Sequence, residues 1–381
     1  MLTLDQLAWL KSKLNFDSLA DMLESAKSVF PEADIVPTLV ICGRTGAGKS
    51  TLINTLVGRY VQPVGVLPTT QEPTARELEN EGIPLRVLDM PGVGEAGRHG
   101  ERLSTVLDQA EYAHLLLMCV PCPERSLAYE ADLLKEVQTY YTGREPLPVL
   151  VAATKIDCAA PVRDWNPEHL NLAHPSTEKE LNITAWLSYL STLIAEKSVG
   201  MVPCSCGEAF DDRAHQYGIT ALRKHIFEIL PEAARSFFVR LTRDMELIDL
   251  RAEHIVRTMS AMSSAAAAQP VPSIPDAALI MPIQIAMLAR LTKLHGRELS
   301  ADLAAKLLGP LAARVAGRFA FEQLSKFLPG VGSLVGAAVA GSMTYALGMA
   351  YHTLLYDGHW NFDAETLKDE VLRWWKNAHR Q

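Results

Sequence analysis

The 381-residue chain is 48% hydrophobic and 21% charged, which is ample for buried cores and points to two or three domains. A formal net charge of −8 and a pI of about 5.8 give no electrostatic support to general nucleic-acid binding, so nucleic acid is not expected as a partner. The six cysteines, Cys42, Cys119, Cys122, Cys158, Cys204 and Cys206, all precede residue 207 and lie in no zinc spacing; they read as reduced, buried thiols of a cytosolic protein rather than as a disulfide framework.

Residues 1–35 carry Leu4, Leu7, Leu10 and Leu14, then Leu19, Met22 and Leu23, at the spacing of amphipathic helices and without a basic–apolar–small leader pattern. Over 36–235 apolar runs alternate with helical periodicity. Strands are expected at 37–42, 84–89, 113–120, 147–153 and 200–204, and helices at 49–59, 101–110, 126–141, 178–197 and 218–230. That alternation predicts an α/β domain with a mainly parallel sheet and helices on both faces. The polar, proline-bearing run from Cys158 to Glu180 reads as a surface insertion. Beyond Pro231 the pattern is helical only. "ARSFFVRLTRDMELIDLRAEHIVRTMS" reads as one long helix, and "SSAAAAQPVPSIP" as a linker, so 236–275 is expected to connect the first domain to an all-α, Ala/Gly-rich domain at 276–356. A final amphipathic helix is expected within 357–381.

The chemistry sits at strand ends. "VICGRTGAGKSTL" leaves the first strand through Gly43, Arg44, Thr45, Gly46, Ala47 and Gly48, then starts a helix at Lys49, Ser50 and Thr51. This is G-x-x-x-x-G-K-[ST]: backbone N–H groups converge on phosphate oxygens, the helix N-terminus adds positive charge, Lys49 reaches the terminal phosphates and the Ser50 hydroxyl ligates Mg²⁺. "RVLDMPGVG" ends a strand in D-x-x-G, with Asp89 placed to hold Mg²⁺ through water and the Gly92 N–H to sense the terminal phosphate. "VAATKID" supplies Thr154, Lys155 and Asp157; the Asp157 carboxylate can accept from guanine N1–H and the exocyclic amine, a pair adenine does not offer, while the Lys155 stem lies along the base. "VPCSCG" follows the next strand with a Ser205–Cys206 turn aimed at the guanine oxygen. All fall in order at the strand ends where open α/β sheets bind ligands.

On GRTGAGKS, DMPG, TKID and the PCSCG turn, residues 36–230 resemble the Era-like GTPase domains of the translation-factor-related class. The resemblance implies a P-loop GTPase fold, GTP and GDP as ligands, Mg²⁺ as cofactor and hydrolysis of GTP to GDP and phosphate. It also implies a switch threonine that closes on Mg²⁺. "GVLPTTQEPTARE" offers Thr69, Thr70 and Thr74, with Thr70 favoured as metal-binding and catalytic residue beside Lys49, and Thr74 as runner-up. The position after D-x-x-G, where Ras-like enzymes place a water-orienting glutamine, is Val93. The P-loop position where some Era-like relatives use Asn to help hold K⁺ is Gly46. Slow intrinsic hydrolysis is therefore expected, stimulated by an activating protein, a homodimer contact or another side chain, with Arg98 and His99 as candidates.

The second informative stretch, Phe327–Tyr356, contains no Lys, Arg, Asp or Glu and carries Gly332 and Gly336 in G-x-x-x-G spacing. It is long enough to enter a bilayer as a hairpin folded at a glycine, or to form buried helices of a soluble domain. Arg290, Lys293, Arg297, Lys306, Arg314, Arg318 and Lys326 outnumber the nearby Glu298, Asp302 and Glu322, which suits an anionic membrane surface or a solvated helix face equally. Residues 277–356 resemble a helical domain fused to GTPase domains in many bacteria, on the PGVG turn and the TYALG stretch. The reading is a nucleotide-controlled switch, cytoplasmic and peripheral or hairpin-anchored at a bacterial inner membrane, with membrane lipid as partner. A dynamin-like remodeller or an RNA/ribosome assembly factor is the alternative.

Overall fold

A computed structural model describes residues 35–60, 74–80, 83–89, 113–141, 146–194, 197–268, 276–300 and 336–378. The expected N-terminal helices and the helix at 101–110 lie outside them. The chain divides into two compact units, one spanning Asp34–Asp244 and the other containing Met245–Gln381.

The first unit is built on a six-stranded sheet of β1 (Thr38–Cys42), β2 (Thr74–Asn80), β3 (Ile83–Asp89), β4 (Leu115–Pro121), β5 (Val149–Thr154) and β6 (Gly200–Pro203), in the order β2-β3-β1-β4-β5-β6. Every pairing is parallel except that of β2 with β3. β1 and β5 are buried along their whole length and β4 up to its last residue. That is why they read as continuous apolar runs: helices on both faces remove water from both sides of a parallel sheet. The strand order reverses around β1, so the crevice at its carboxyl end is the topological switch point where such sheets bind ligands. α1 (Lys49–Val57), α2 (Ala128–Tyr140), α3 (Glu178–Ile194), α4 (Ile219–Ile229) and α5 (Glu232–Thr242) complete the unit, with a short hairpin of β7 (Ser205–Cys206) and β8 (Gln216–Tyr217). The edge strand β2 and this hairpin were not expected from the sequence.

The single long helix expected from Ala234 onward is two helices. α5 stops at Thr242, Arg243 takes the left-handed conformation at φ 50°, and α6 (Met245–Ala267) begins two residues later. α6 belongs to the second unit, where it packs with α7 (Asp276–Leu294) and α8 (Gly336–Tyr356); α9 (Ala364–Ala378) packs on α8. The small residues of α8 let helices approach closely. A Cβ on Gly348 would stand 2.6 Å from Val256 of α6 and 2.8 Å from Met287 of α7, and one on Gly341 would run into Ser264. Several polar side chains in this interior are paired: Thr292 with the Tyr351 hydroxyl at 2.7 Å, and the buried His352 with Asp249 at 2.8 Å and His295 at 3.1 Å. α8 is one uninterrupted helix of 21 residues, so none of its glycines folds it into a hairpin; 327–335 lie outside the described residues. Among the described residues no helix is long and apolar enough to cross a membrane.

Candidate functional site

β1 ends at the buried Cys42 and α1 starts at Lys49, so the connecting loop turns back within six residues. Glycine makes this turn feasible: Gly43 and Gly48 sit at φ 145° and 85°, and a Cβ on Gly43 would run into the Cys119 carbonyl of β4. α1 has no side-chain cap and no acid in its first turn. Its leading N–H groups and partial positive charge are thereby left for an anion. The Lys49 ammonium donates to the Gly43 and Arg44 carbonyls at 3.0 and 3.1 Å, which keeps its charge over the loop. Thr45 and Gly46 are exposed at the apex, and Ser50 and Thr51 are partly buried on the first turn of α1.

Arg44 contributes its backbone to the loop, but its side chain turns toward α2. The guanidinium donates to both oxygens of the buried Glu130 at 2.8 and 3.0 Å, donates to the Ser126 carbonyl and lies 3.4 Å from Glu124. It also lies 5.7 Å over the Tyr129 ring.

The end of β5 is stitched onto this loop. Thr154 is buried and its hydroxyl donates to the Ala47 carbonyl at 2.7 Å. Lys155 adopts φ 57°, and its stem crosses the loop, with Cε 3.7 Å from where a Gly48 Cβ would be. Asp157 follows in a tight turn, Ile156–Cys158, with its side chain half-buried. The next loop is bonded to the same turn: Cys204 N–H donates to the Ala153 carbonyl at 2.8 Å, and Ile156 N–H to the Cys204 carbonyl at 3.4 Å. Ser205 is buried and its hydroxyl accepts from the Gly207 N–H at 3.2 Å, which holds the Ser205–Cys206 turn in place. Burial pushes the Cys206 thiol up to about 11, opposed by a hydrogen bond with Thr55 of α1. None of the six cysteines is in a disulfide; Cys42, Cys119, Cys122 and Cys204 are buried, whereas Cys158, expected inside, is exposed.

Asp89 closes β3 in register with Ile41, so its backbone reaches the same carboxyl edge. Thr74 opens β2 opposite Asp89 within the ladder. Thr69, Thr70, Gly92, Val93, Arg98 and His99 lie outside the described residues. Sequence reasoning missed the residues that hold the Cys158–Glu180 segment. Lys179 is buried, and burial lowers its pKa. Glu180 accepts from the Thr177 N–H at 2.9 Å while its own N–H donates to the Thr177 hydroxyl at 3.3 Å. That reciprocal cap was visible as T-x-x-E. The insertion is therefore a structured loop built on the first turn of α3.

Residues 38–155 match the family model described as 50S ribosome-binding GTPase. The chain carries a bacterial small GTPase domain. Over 165 residues, 40% of this chain, it is 31% identical to the tRNA modification GTPase MnmE of Haemophilus influenzae (strain PittEE), and it spans only 35% of that protein's length. It is 28% identical over 207 residues to the uncharacterized protein YfjP of Escherichia coli (strain K12), covering 54% of this chain and 66% of YfjP. Among solved structures, Era in complex with MgGDPNP and nucleotides of 16S ribosomal RNA aligns at TM-score 0.37 and 20% identity, over 60% of this chain and 68% of that one. Toc33 from Arabidopsis thaliana with Mg²⁺ and GMPPNP aligns at 0.37 and 16%, over 56% and 93%. The domain is thus a GTP-binding GTPase domain followed by a helical region.

Proposed function

We propose that the protein is a nucleotide-controlled switch that binds GTP and GDP with Mg²⁺ and hydrolyses GTP slowly. One observation carries this reading: the bond from Thr154 to the Ala47 carbonyl joins the anion-binding end of α1 and the turn bearing Asp157 into one crevice. Phosphates would lie on the N–H groups of 43–51, Lys49 would pair with the terminal phosphates, and the Lys155 stem would cover one face of the base. Asp157 would accept from the guanine N1–H and amine, and the Ser205–Cys206 backbone would donate to the guanine oxygen. Ser50, Asp89 and Thr70 offer hydroxyl and carboxylate oxygens, the donor set a hard cation prefers, and would hold Mg²⁺, which would neutralise charge on the phosphates. Thr74 lies inside the strand ladder, which supports Thr70 as the threonine that moves. Val93 has no group to orient water and Gly46 no amide, so stimulation by an activating protein or a second copy of the chain is part of the proposal.

Calorimetry with GTP, GDP and ATP tests the reading, since equal affinity for ATP and GTP would overturn it. Asp157→Asn exchanges an acceptor for a group that also donates, and is expected to shift preference from guanosine to xanthosine nucleotides by several tens-fold or more. The same proposal places the protein in the cytoplasm, in peripheral contact with an anionic membrane through the basic run Arg290–Lys326. The small-residue face of α8 is occupied by α6 and α7, which favours peripheral contact over insertion. Co-sedimentation with anionic vesicles, with RNA as competitor, reads lipid and RNA binding together.

A further inference from the structure

We infer that Lys179 is a positioning residue for base recognition, fixing the turn that carries Asp157 and with it the preference for a purine bearing a 2-amino group. The inference rests on the guanine reading of Asp157. Lys179 is 2% exposed. Its ammonium donates to the carbonyls of Asp157 at 2.8 Å, Ala159 at 2.7 Å and Pro161 at 3.1 Å. An ammonium has three donors and no acceptor, so every N–H is committed to one five-residue segment. Three residues further along the same helical face, Asn182 donates to the Ala160 carbonyl at 2.9 Å. The carbonyls of 157, 159, 160 and 161 therefore all answer the first two turns of α3.

A charge is excluded from water only where dipoles replace the water, and here those dipoles belong to the base-reading turn. With Lys155 at φ 57° on one side and the Asp157 carbonyl held on the other, the Asp157 Cα–Cβ bond has a fixed direction. Trp165 extends the arrangement. Its ring lies 5.5 Å from the Lys179 ammonium and 6.3 Å, edge-on, from Tyr217, and its indole N–H donates to the His215 carbonyl at 3.1 Å. Tyr217 pairs with Ser205 across β7 and β8, so one buried charge ties both base-facing turns together.

Asp157 can accept two hydrogen bonds from guanine but only one from hypoxanthine, which lacks the amine. Two bonds to one carboxylate demand correct aim, whereas one tolerates error. Loosening the turn should therefore weaken guanosine diphosphate binding more than inosine diphosphate binding. The experiment titrates both nucleotides into the full chain by calorimetry, for the native protein, Lys179→Met and Lys179→Arg. Lys179→Met is expected to reduce the guanosine-over-inosine preference about tenfold, the scale of one charge-assisted hydrogen bond, and Lys179→Arg to restore part of it. If Lys179→Met does not fold, Asn182→Ala gives the same readout, with a smaller shift in the same direction expected because that side chain is exposed and holds only the Ala160 carbonyl. An unchanged ratio in the folded variant, or an equal loss for both nucleotides, overturns the inference. A native protein that prefers guanosine over adenosine diphosphate yet shows that unchanged ratio overturns this inference alone. A native protein without that preference overturns the guanine reading as well.

Discussion

Arg44 lies in the glycine-rich loop between β1 and α1 while its side chain works on the protein. The fork it makes with Glu130 joins the loop to α2, and the Glu130 side chain is 1% exposed, so removing the guanidinium strands a buried carboxylate. We expect Arg44→Ala to destabilise the domain by about 2–3 kcal/mol, less than a fully buried pair because the Arg44 side chain is itself 26% exposed. Arg44→Lys should recover only part, since an ammonium cannot form the planar two-bond contact. Urea unfolding reads both, and an Arg44→Ala protein as stable as the native one would show that the pair contributes nothing. This interaction was not legible in the sequence because its partners lie 86 residues apart. Gly43, Lys49, Ser50 and Asp157 were legible because their chemistry is spaced along single loops. Lys179 was hidden for a different reason: its acceptors are backbone carbonyls, which carry no residue identity. The one signal was its place at the second position of α3, where a cation opposes the helix dipole and needs compensation.

The elements follow the same division. β1, β4 and β5 were recoverable because both faces of each strand are covered, whereas β2 pairs on one side only and its sequence, TARELEN, is polar and charged. Charge on an edge strand discourages pairing with other chains and, by the same token, erases the apolar alternation that marks a strand. α3 is held to its preceding loop by Glu180, which accepts backbone N–H groups from Ser176, Asn171 and Thr177; these bonds hold the carboxyl at about 2 against an ordinary value of 4.5. The folded form thus binds fewer protons than the unfolded one. The resulting stabilisation is complete above pH 4.5 and is lost as pH falls from 4.5 toward 2. We expect the protection of the Asn171, Ser176 and Thr177 amides against exchange, taken relative to their intrinsic rates at each pH, to fall through that window, and Glu180→Gln to lower it already at neutral pH. Protection factors at these amides that stay unchanged from pH 4.5 to 2 would contradict the account. On α8, Gly348→Val would push two methyl groups toward Val256 and Met287, where a bare Cβ already stands within 2.8 Å of both. Overpacking of this kind typically costs about 1–3 kcal/mol, so a lowered melting temperature of the helical unit is expected while nucleotide affinity is retained. An unchanged melt would mean that α6 and α8 are not held this closely in solution.

At the scale of the molecule, the sequence announced the change from alternating strands and helices to helices alone, but not the residue at which one unit becomes the other. Apolar periodicity continues through Phe238, Val239 and Leu241 into Leu247, Ile248 and Ile255, so nothing in the hydrophobic pattern marks a break. The break is a backbone event at Arg243, followed by Asp244, whose carboxylate pairs with Arg223 at 3.2 Å. Arg223 in turn donates to the carbonyls of Thr55 and Leu56 at the end of α1, and thereby anchors the last residue of the first unit to that helix. The small-residue character of α8 was equally ambiguous, because close helix packing selects Gly and Ala in a protein interior as it does in lipid. The boundary can be tested by where the chain tolerates a cut. A fragment of residues 34–244 keeps the Arg223–Asp244 pair, the whole sheet and α1 to α5. It is expected to be monomeric, soluble and as good a binder of GDP as the full chain, within about twofold, since it retains each described residue placed around the nucleotide. A fragment of residues 34–259 carries about the first two thirds of α6 without α7 and α8. Leu247, Val256 and Met259, each at most 1% exposed in the full chain, would then face water together. That fragment is expected to aggregate or bind hydrophobic dyes under conditions in which the shorter one does not. Size-exclusion chromatography and GDP calorimetry on the two decide the matter. If the shorter fragment precipitates and the longer one binds nucleotide as a monomer, α6 belongs to the nucleotide-binding unit and the boundary lies further along the chain.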